Sequence, residues 1–232
     1  MRFSIGNGYA VYRGPSEGGT FHRHAAFQVA IAVDGEVTLE DAAGGRHRDA
    51  ALIVPPMARH RMLPVAELVT YFIDPHCTFA DRLRERCGEG VTTAPSMRGL
   101  REEDVRASCA APSSELDPRL VAAMTMLTDR RVPMPSIAAR VGLSPQRLRA
   151  LAREQLGLPL VRWAIWSRLG RATEALRAGR SLADAAVTVG FVDQAHLTRR
   201  MREMVGITPA ALLPALLPAL GPSVAIRHVD RD

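Results

Sequence analysis

Ile137-Ala138-Ala139-Arg140-Val141-Gly142-Leu143-Ser144, continued by Pro145-Gln146-Arg147-Leu148-Arg149-Ala150-Leu151, has a second copy further along the chain. That copy reads Ala185-Ala186-Val187-Thr188-Val189-Gly190-Phe191-Val192, then Asp193-Gln194-Ala195-His196-Leu197-Thr198-Arg199-Arg200-Met201. In each, a small Ala stands four residues before a Gly, an apolar residue follows, and then comes a capping Ser or Asp. The second copy has one extra residue in its turn. Both close similarly, on Gly157-Leu158-Pro159 and on Gly206-Ile207-Thr208-Pro209.

These features predict two helix-turn-helix units. Two short helices that cross steeply need a small side chain where they touch, which Ala138 and Ala186 supply. Gly142 and Gly190 take the positive φ of the turn at little cost. Ser144 and Asp193 cap the free N–H groups of the following helix. That helix turns Leu148 and Leu151, or Leu197 and Met201, to the core. Its other face shows Gln146, Arg147 and Arg149, or Gln194, His196 and Arg199. The competing reading is an ordinary helical hairpin with a solvated polar face; two copies in one basic region argue against it.

The charge distribution agrees. All 30 basic residues of the 232-residue chain are Arg. Residues 1–116 are slightly acidic, whereas residues 117–213 hold 15 Arg against 7 acidic residues. An Arg-rich genome would explain the missing Lys but not the one-sided excess, which suits an anionic partner such as nucleic acid. No apolar run reaches membrane-spanning length, and the start lacks a signal-peptide core, so a cytoplasmic protein with no membrane partner is expected. Cys77, Cys87 and Cys109 have no metal-binding spacing and read as ordinary thiols.

Along the chain, residues 1–73 read as β-structure. Phe27–Val33 ends at the turn pair Asp34-Gly35, Ala51–Val54 stops at Pro55-Pro56, and Leu68–Ile73 stops at Asp74-Pro75. Short strands at this spacing predict a small sandwich or barrel. Residues 76–87 fit one helix with Phe79 and Leu83 on one face. Residues 88–116 read as loop and linker. Asp117-Pro118 is a helix start, with Asp as N-cap and Pro at the first position. Residues 159–178 fit a helix of about 20 residues, roughly 30 Å long. Prolines in residues 214–232 predict a poorly ordered tail. The domain expectation is therefore 1–87, a linker at 88–116, a helical domain at 117–213 and a tail.

The stretch from Asp117 to Leu213 resembles the AraC/XylS family of transcriptional regulators. The resemblance rests on the first helix-turn-helix and on the long helix with Pro159, Trp163, Arg168-Leu169 and Ala172. It rests also on Val189-Gly190-Phe191-Val192-Asp193, Arg199 and Gly206-Ile207-Thr208-Pro209. Trp163 stands where the family usually has Tyr, and Ala152 and Met201 where it usually has Phe. The resemblance implies two recognition helices in successive major grooves. A 30 Å connecting helix is close to one turn of B-DNA, about 34 Å. By position, Gln146, Arg147 and Arg149, and Gln194, His196, Thr198 and Arg199, are the expected DNA contacts. Arg pairs with guanine and Gln with adenine, while Thr198 suits phosphate. Arg168 is expected to be structural.

The N-terminal half resembles the small cupin barrel that serves such regulators as a sensory domain. Read as one strand, residues 21–33 put Ala25, Phe27, Val29, Ile31 and Val33 on a bulky face. His22, His24, Gln28, Ala30 and Ala32 lie on the other, as if leaving room for a ligand. Metal-binding cupins use two His two apart, an acid four later and a third His. His22, His24 and His60 match, and Gln28 replaces the acid. These four are the candidate effector site, and the three His could hold zinc or another divalent ion with water as fourth ligand. The expected fold class is α+β: a cupin-like β-barrel, then an all-α domain with two helix-turn-helix motifs. The expected function is that of a sequence-specific DNA-binding regulator rather than an enzyme. Its expected partners are double-stranded DNA, a small-molecule effector, RNA polymerase if it activates, and a second copy of the chain. The alternative is a metal-dependent cupin enzyme fused to a DNA-binding domain.

Overall fold

The computed structural model describes residues 1–128, 132–206 and 208–216. Its first half is a β-sandwich. Strands β1 (Arg2–Gly6), β2 (Tyr9–Ser16), β3 (Phe27–Ala32), β4 (Val37–Asp41), β5 (Arg46–Asp49), β6 (Ala51–Val54), β7 (His60–Met62) and β8 (Val65–Ile73) come in succession. Helix α1 (Thr78–Arg86), the short strand β9 (Thr92–Thr93) and helix α2 (Glu102–Cys109) follow. The large sheet runs β1-β2-β8-β3-β6-β9 and the small one β5-β4-β7, with every named pair antiparallel.

The parity of β3 sorts two cores, because alternate side chains leave opposite faces of a strand. Phe27, Val29 and Ile31 pack with Phe79, Leu83 and Val105 of the covering helices. Ala30 and Ala32 pack with Leu39, Leu52 and Leu68 between the two sheets. The expected room on the small-residue face is thus already filled, as Ala30 is fully buried. Its small size accommodates the second sheet, not a ligand.

Three further expectations change. Residues 88–116 are not merely a linker. β9 pairs with β6, Pro95–Met97 forms a 3-10 turn, and α2 contributes buried Val105 and Cys109. The segment reads as loop because its strand is two residues long and its helix only eight. His22 and His24 precede β3 rather than lying on it. A backbone bridge joins His22 to His60, with N···O distances of 3.0 and 3.1 Å. The last helix also runs three residues into the expected tail; residues 217–232 lie outside the described residues.

The helical half comprises α3 (Pro118–Leu127), α4 (Met134–Arg140), α5 (Pro145–Leu156), α6 (Leu160–Arg177), α7 (Leu182–Val189), α8 (Gln194–Val205) and α9 (Pro209–Leu216). Asp117 caps α3 as its sequence implies, accepting from Arg119 N–H at 2.8 Å. Helix α6 has 18 residues, so it spans about 27 Å, shorter than expected. Pro159 and Ala178 are its caps and not part of it. The helical core continues into the sheet domain through Phe3 and Ala25. Replacing Ala30 tests the filled sandwich: Ala30→Leu should lower stability by about 1–3 kcal/mol, as overpacking does. Denaturant unfolding measures this, and unchanged stability would restore a cavity at that position.

Candidate nucleic-acid interface and the seam beneath it

The two helix-turn-helix units close their first helix with the same main-chain bond. After α4, Gly142 takes φ +69° and Leu143 N–H donates back to the Ala138 carbonyl at 2.9 Å. After α7, Gly190 takes φ +92° and Phe191 N–H donates to the Ala186 carbonyl at 2.8 Å. These bonds satisfy carbonyls that the helix end would leave open. Ala138 and Ala186 are fully buried at the two crossings. Ser144 accepts from Arg147 N–H at 3.1 Å and Asp193 from His196 N–H at 2.6 Å, so each cap acts as its residue type implies.

The polar faces point outward. Gln146, Arg147 and Arg149 are exposed on α5, and Gln194 and Arg199 on α8. Arg147 lies 3.9 Å from Glu154, a loose and exposed pair of little energetic weight. His196 and Thr198 are half-buried. The His196 ring packs edge-on against Phe191, and its Nε2 accepts from Arg200 at 3.4 Å. It therefore helps to shape the turn as well as to face outward. Val192, quoted above within the second turn, is 76% exposed and stands beside this face. Arg168 is half-buried, in keeping with a structural place.

Beneath this face lies a seam that motif reading does not show. The indole N–H of Trp163 on α6 donates to both oxygens of buried Asp74, at 2.9 and 3.2 Å. His76 Nδ1 is 2.5 Å from the same carboxylate, and its ring stacks edge-on with Trp163. Trp163 thus ties α6 to the buried carboxylate that follows β8. The ends of both recognition helices are also held. Arg84 of α1 donates to the Gln155 carbonyl at 3.1 Å, and His24 Nδ1 donates to the Met204 carbonyl at 2.6 Å. Both carbonyls lie two residues before the closing glycine of their helix, Gly157 or Gly206. Cationic or N–H donors at a helix C-terminus also oppose its negative dipole end.

The sequence-selected His22, His24, Gln28 and His60 do come together at this seam. His22 Nε2 lies 3.0 Å from His24 Nε2, and His60 Nε2 lies 2.7 Å from Gln28 Oε1. Burial lowers the pKa of all three imidazoles, that of His60 to about 4, and their mutual repulsion deepens the effect for His24 and His60. Two cavities flank the cluster. One of about 310 Å³ is lined by His22, His24, Gln28, Val205 and Gly206. Another of about 840 Å³ is lined chiefly by apolar residues including Phe3, Ile5, Trp163, Trp166 and Met201. His60 is buried behind its neighbours and lines neither. Among the described residues, no helix is long and apolar enough to cross a membrane.

Comparison with known proteins places this geometry. Residues 137–214 match a family model described as a helix-turn-helix domain. An 85-residue stretch is 34% identical to the arabinose operon regulatory proteins of Salmonella typhimurium and of Escherichia coli. The helical half thus matches a helix-turn-helix domain model and is similar in sequence to part of these regulators. That match takes in 36% of this chain and 30% of the length of the Salmonella protein, so the likeness spans under a third of that relative.

The fold likeness reaches further than the sequence likeness. An apo form of ToxT from Vibrio cholerae superimposes with a TM-score of 0.62 over 94% of this chain and 100% of that one, at 10% identity. A ToxT structure with an unsaturated fatty acid bound gives 0.59 over 92% and 97%, at 11% identity. At such identities the likeness is one of fold alone: an N-terminal β-domain joined to a helical helix-turn-helix domain.

The seam makes a pH prediction. Burial lowers the pKa of His76, but the hydrogen bond and charge of Asp74 outweigh it and the net shift is upward. A raised folded-state value means that the charged pair stabilises fully below about pH 6.5, and that this contribution is lost as pH rises through the raised value. The melting-temperature advantage of the native chain over His76→Gln should therefore shrink from about pH 6 to about pH 9. An advantage that grows over that range would contradict the pairing.

Proposed function

We propose that this chain is a sequence-specific DNA-binding transcriptional regulator whose N-terminal half senses a small molecule at the seam between the halves. The observation that carries the reading is the pair of matched helix-turn-helix units, each presenting exposed Arg and Gln from a capped recognition helix. Gln146, Arg147 and Arg149 form the first reading head; Gln194, His196, Thr198 and Arg199 form the second. Arg and Gln make two-pronged contacts with guanine and adenine, and exposed Val192 suits a thymine methyl group. The name of the arabinose operon regulatory proteins supports regulation over the cupin-enzyme alternative.

The effector is best accommodated beside the His cluster rather than on it. His22, His24, Gln28 and His60 are engaged with one another and with backbone carbonyls, while open volume lies next to them among Phe3, Phe72, Trp163 and Trp166. Such a lining suits a mainly apolar small molecule. The fatty acid bound by ToxT, a protein of the same fold, favours this chemistry. RNA polymerase contact and pairing with a second copy remain parts of the proposal that follow from regulation rather than from a feature of the fold.

Two measurements test the DNA reading. Arg149→Ala should weaken binding to the specific site by about 1–3 kcal/mol and relax preference at one base pair, with little effect on random DNA. Equal losses on both would make Arg149 a phosphate contact only. Inserting about five base pairs between the half-sites turns one to the opposite face of the duplex. Helix α6 is packed against both units, so one chain cannot follow, and tight binding should collapse. Retained affinity would mean that the heads are flexibly joined.

A further inference from the structure

Two of the three thiols, 32 residues apart in sequence, meet in the core of the β-domain. Cys77 Sγ lies 3.2 Å from Cys109 Sγ, and both side chains are buried. Cys77 stands just before α1, three residues after Asp74, and Cys109 is the last residue of α2. The main chain holds them together. Thr78 N–H donates to the Ala111 carbonyl at 3.1 Å, and Ser113 N–H to the His76 carbonyl at 2.7 Å. A backbone bridge also pairs Cys77 with Pro112. The segment after α2 is therefore laid along the turn that carries Asp74 and His76. Cys87 caps the far end of α1, about 15 Å away along the helix.

We propose that Cys77 and Cys109 are a redox modification site: hydrogen peroxide converts them to a disulfide, which locks the turn bearing Asp74 and His76 to the end of α2. A disulfide needs the sulfurs at about 2.05 Å, roughly 1 Å closer than they already stand. The two sulfurs differ as the reaction requires. A hydrogen bond from Cys109, helped by the first N–H groups of α1, brings the Cys77 thiol below its ordinary value against the effect of burial. The same hydrogen bond and burial push Cys109 up. Cys77 is therefore the attacking thiolate.

The thiolate takes one peroxide oxygen and the O–O bond breaks. The departing hydroxide takes up the proton that Cys77 released and leaves as water, and Cys77 is a sulfenic acid. Cys109 then attacks that sulfur. The S–S bond forms, the S–O bond breaks, and the leaving hydroxide carries off the Cys109 proton as a second water. Two thiols lose two electrons and two protons, and the peroxide is reduced to two waters. Oxidation of Cys77 also removes the hydrogen bond and charge that hold the proton on Cys109. Gly8, His76 and Pro112, which adjoin the pair, line the 840 Å³ cavity, which gives so small an oxidant a side to approach from.

The consequence reaches the seam. Cys77 N–H donates to the Asp74 carbonyl at 3.2 Å, and the Asp74 carboxylate receives the Trp163 indole. A bond at Cys77 restrains the turn through which the β-domain grips α6.

The test needs no DNA and so stands apart from the regulator reading. The full chain is reduced, freed of reductant and treated with a small excess of hydrogen peroxide. Peptide mapping by mass spectrometry without reductant should find one Cys77–Cys109 bridge within the chain and Cys87 still free, and dithiothreitol should reverse it. The melting temperature of the oxidised chain should rise by roughly 5–10 °C, as expected for a bridge that closes a loop of this length. Hydrogen exchange across residues 74–80 and 109–113 should slow. Cys87→Ser should respond as the native chain does, whereas Cys77→Ser and Cys109→Ser should show neither change. A native chain, folded by circular dichroism, that keeps three free thiols, bridges through Cys87 or links to a second chain overturns the site. Oxidation of Cys77 to sulfinic acid without a bridge overturns it too. A bridge that leaves exchange at residues 74–80 unchanged overturns the restraint on the seam.

Discussion

The pairing of the Trp163 indole with the Asp74 carboxylate holds the two halves of this protein in one arrangement. Asp74 directly follows the longest strand, β8, and Trp163 lies one turn into the helix that links the two helix-turn-helix units. A buried carboxylate without partners would be costly. Here it accepts from an indole and from His76, so the strand end and the helix start are satisfied only together. The apolar contacts around it add area, but they do not specify register in this way.

That arrangement brings the β-domain into direct contact with both helix-turn-helix units. The two halves are joined at the last turns of both recognition helices, through the carbonyls of Gln155 and Met204. The capped N-terminal turns, which carry Gln146 and Gln194, remain outward. Each recognition helix is thus held at one end and open at the other, which keeps the DNA-facing residues clear of the seam.

Much of this was legible in the residues. The two turns announced themselves because Ala, Gly and a capping side chain each perform a local task with few substitutes. Asp117-Pro118 marked its helix start for the same reason. β3 gave its alternation correctly but not the meaning of its small face, because an alanine opposite a second sheet looks like an alanine beside a ligand. β9 and α2 were too short to stand out from a loop. The His cluster was visible as a set, yet its setting was not. Its decisive partners are backbone carbonyls of Thr20, Ala58 and Met204, and a carbonyl has no sequence signature. The same holds for Arg84 and Gln155.

The two grips on the recognition helices are chemically unlike. Arg84 carries a permanent charge and donates to Gln155 whatever happens around it. The donor to Met204 is an imidazole wedged between two others, with ring centroids 4.6 and 5.1 Å away. A change at the rings would therefore disturb the second helix-turn-helix unit and spare the first.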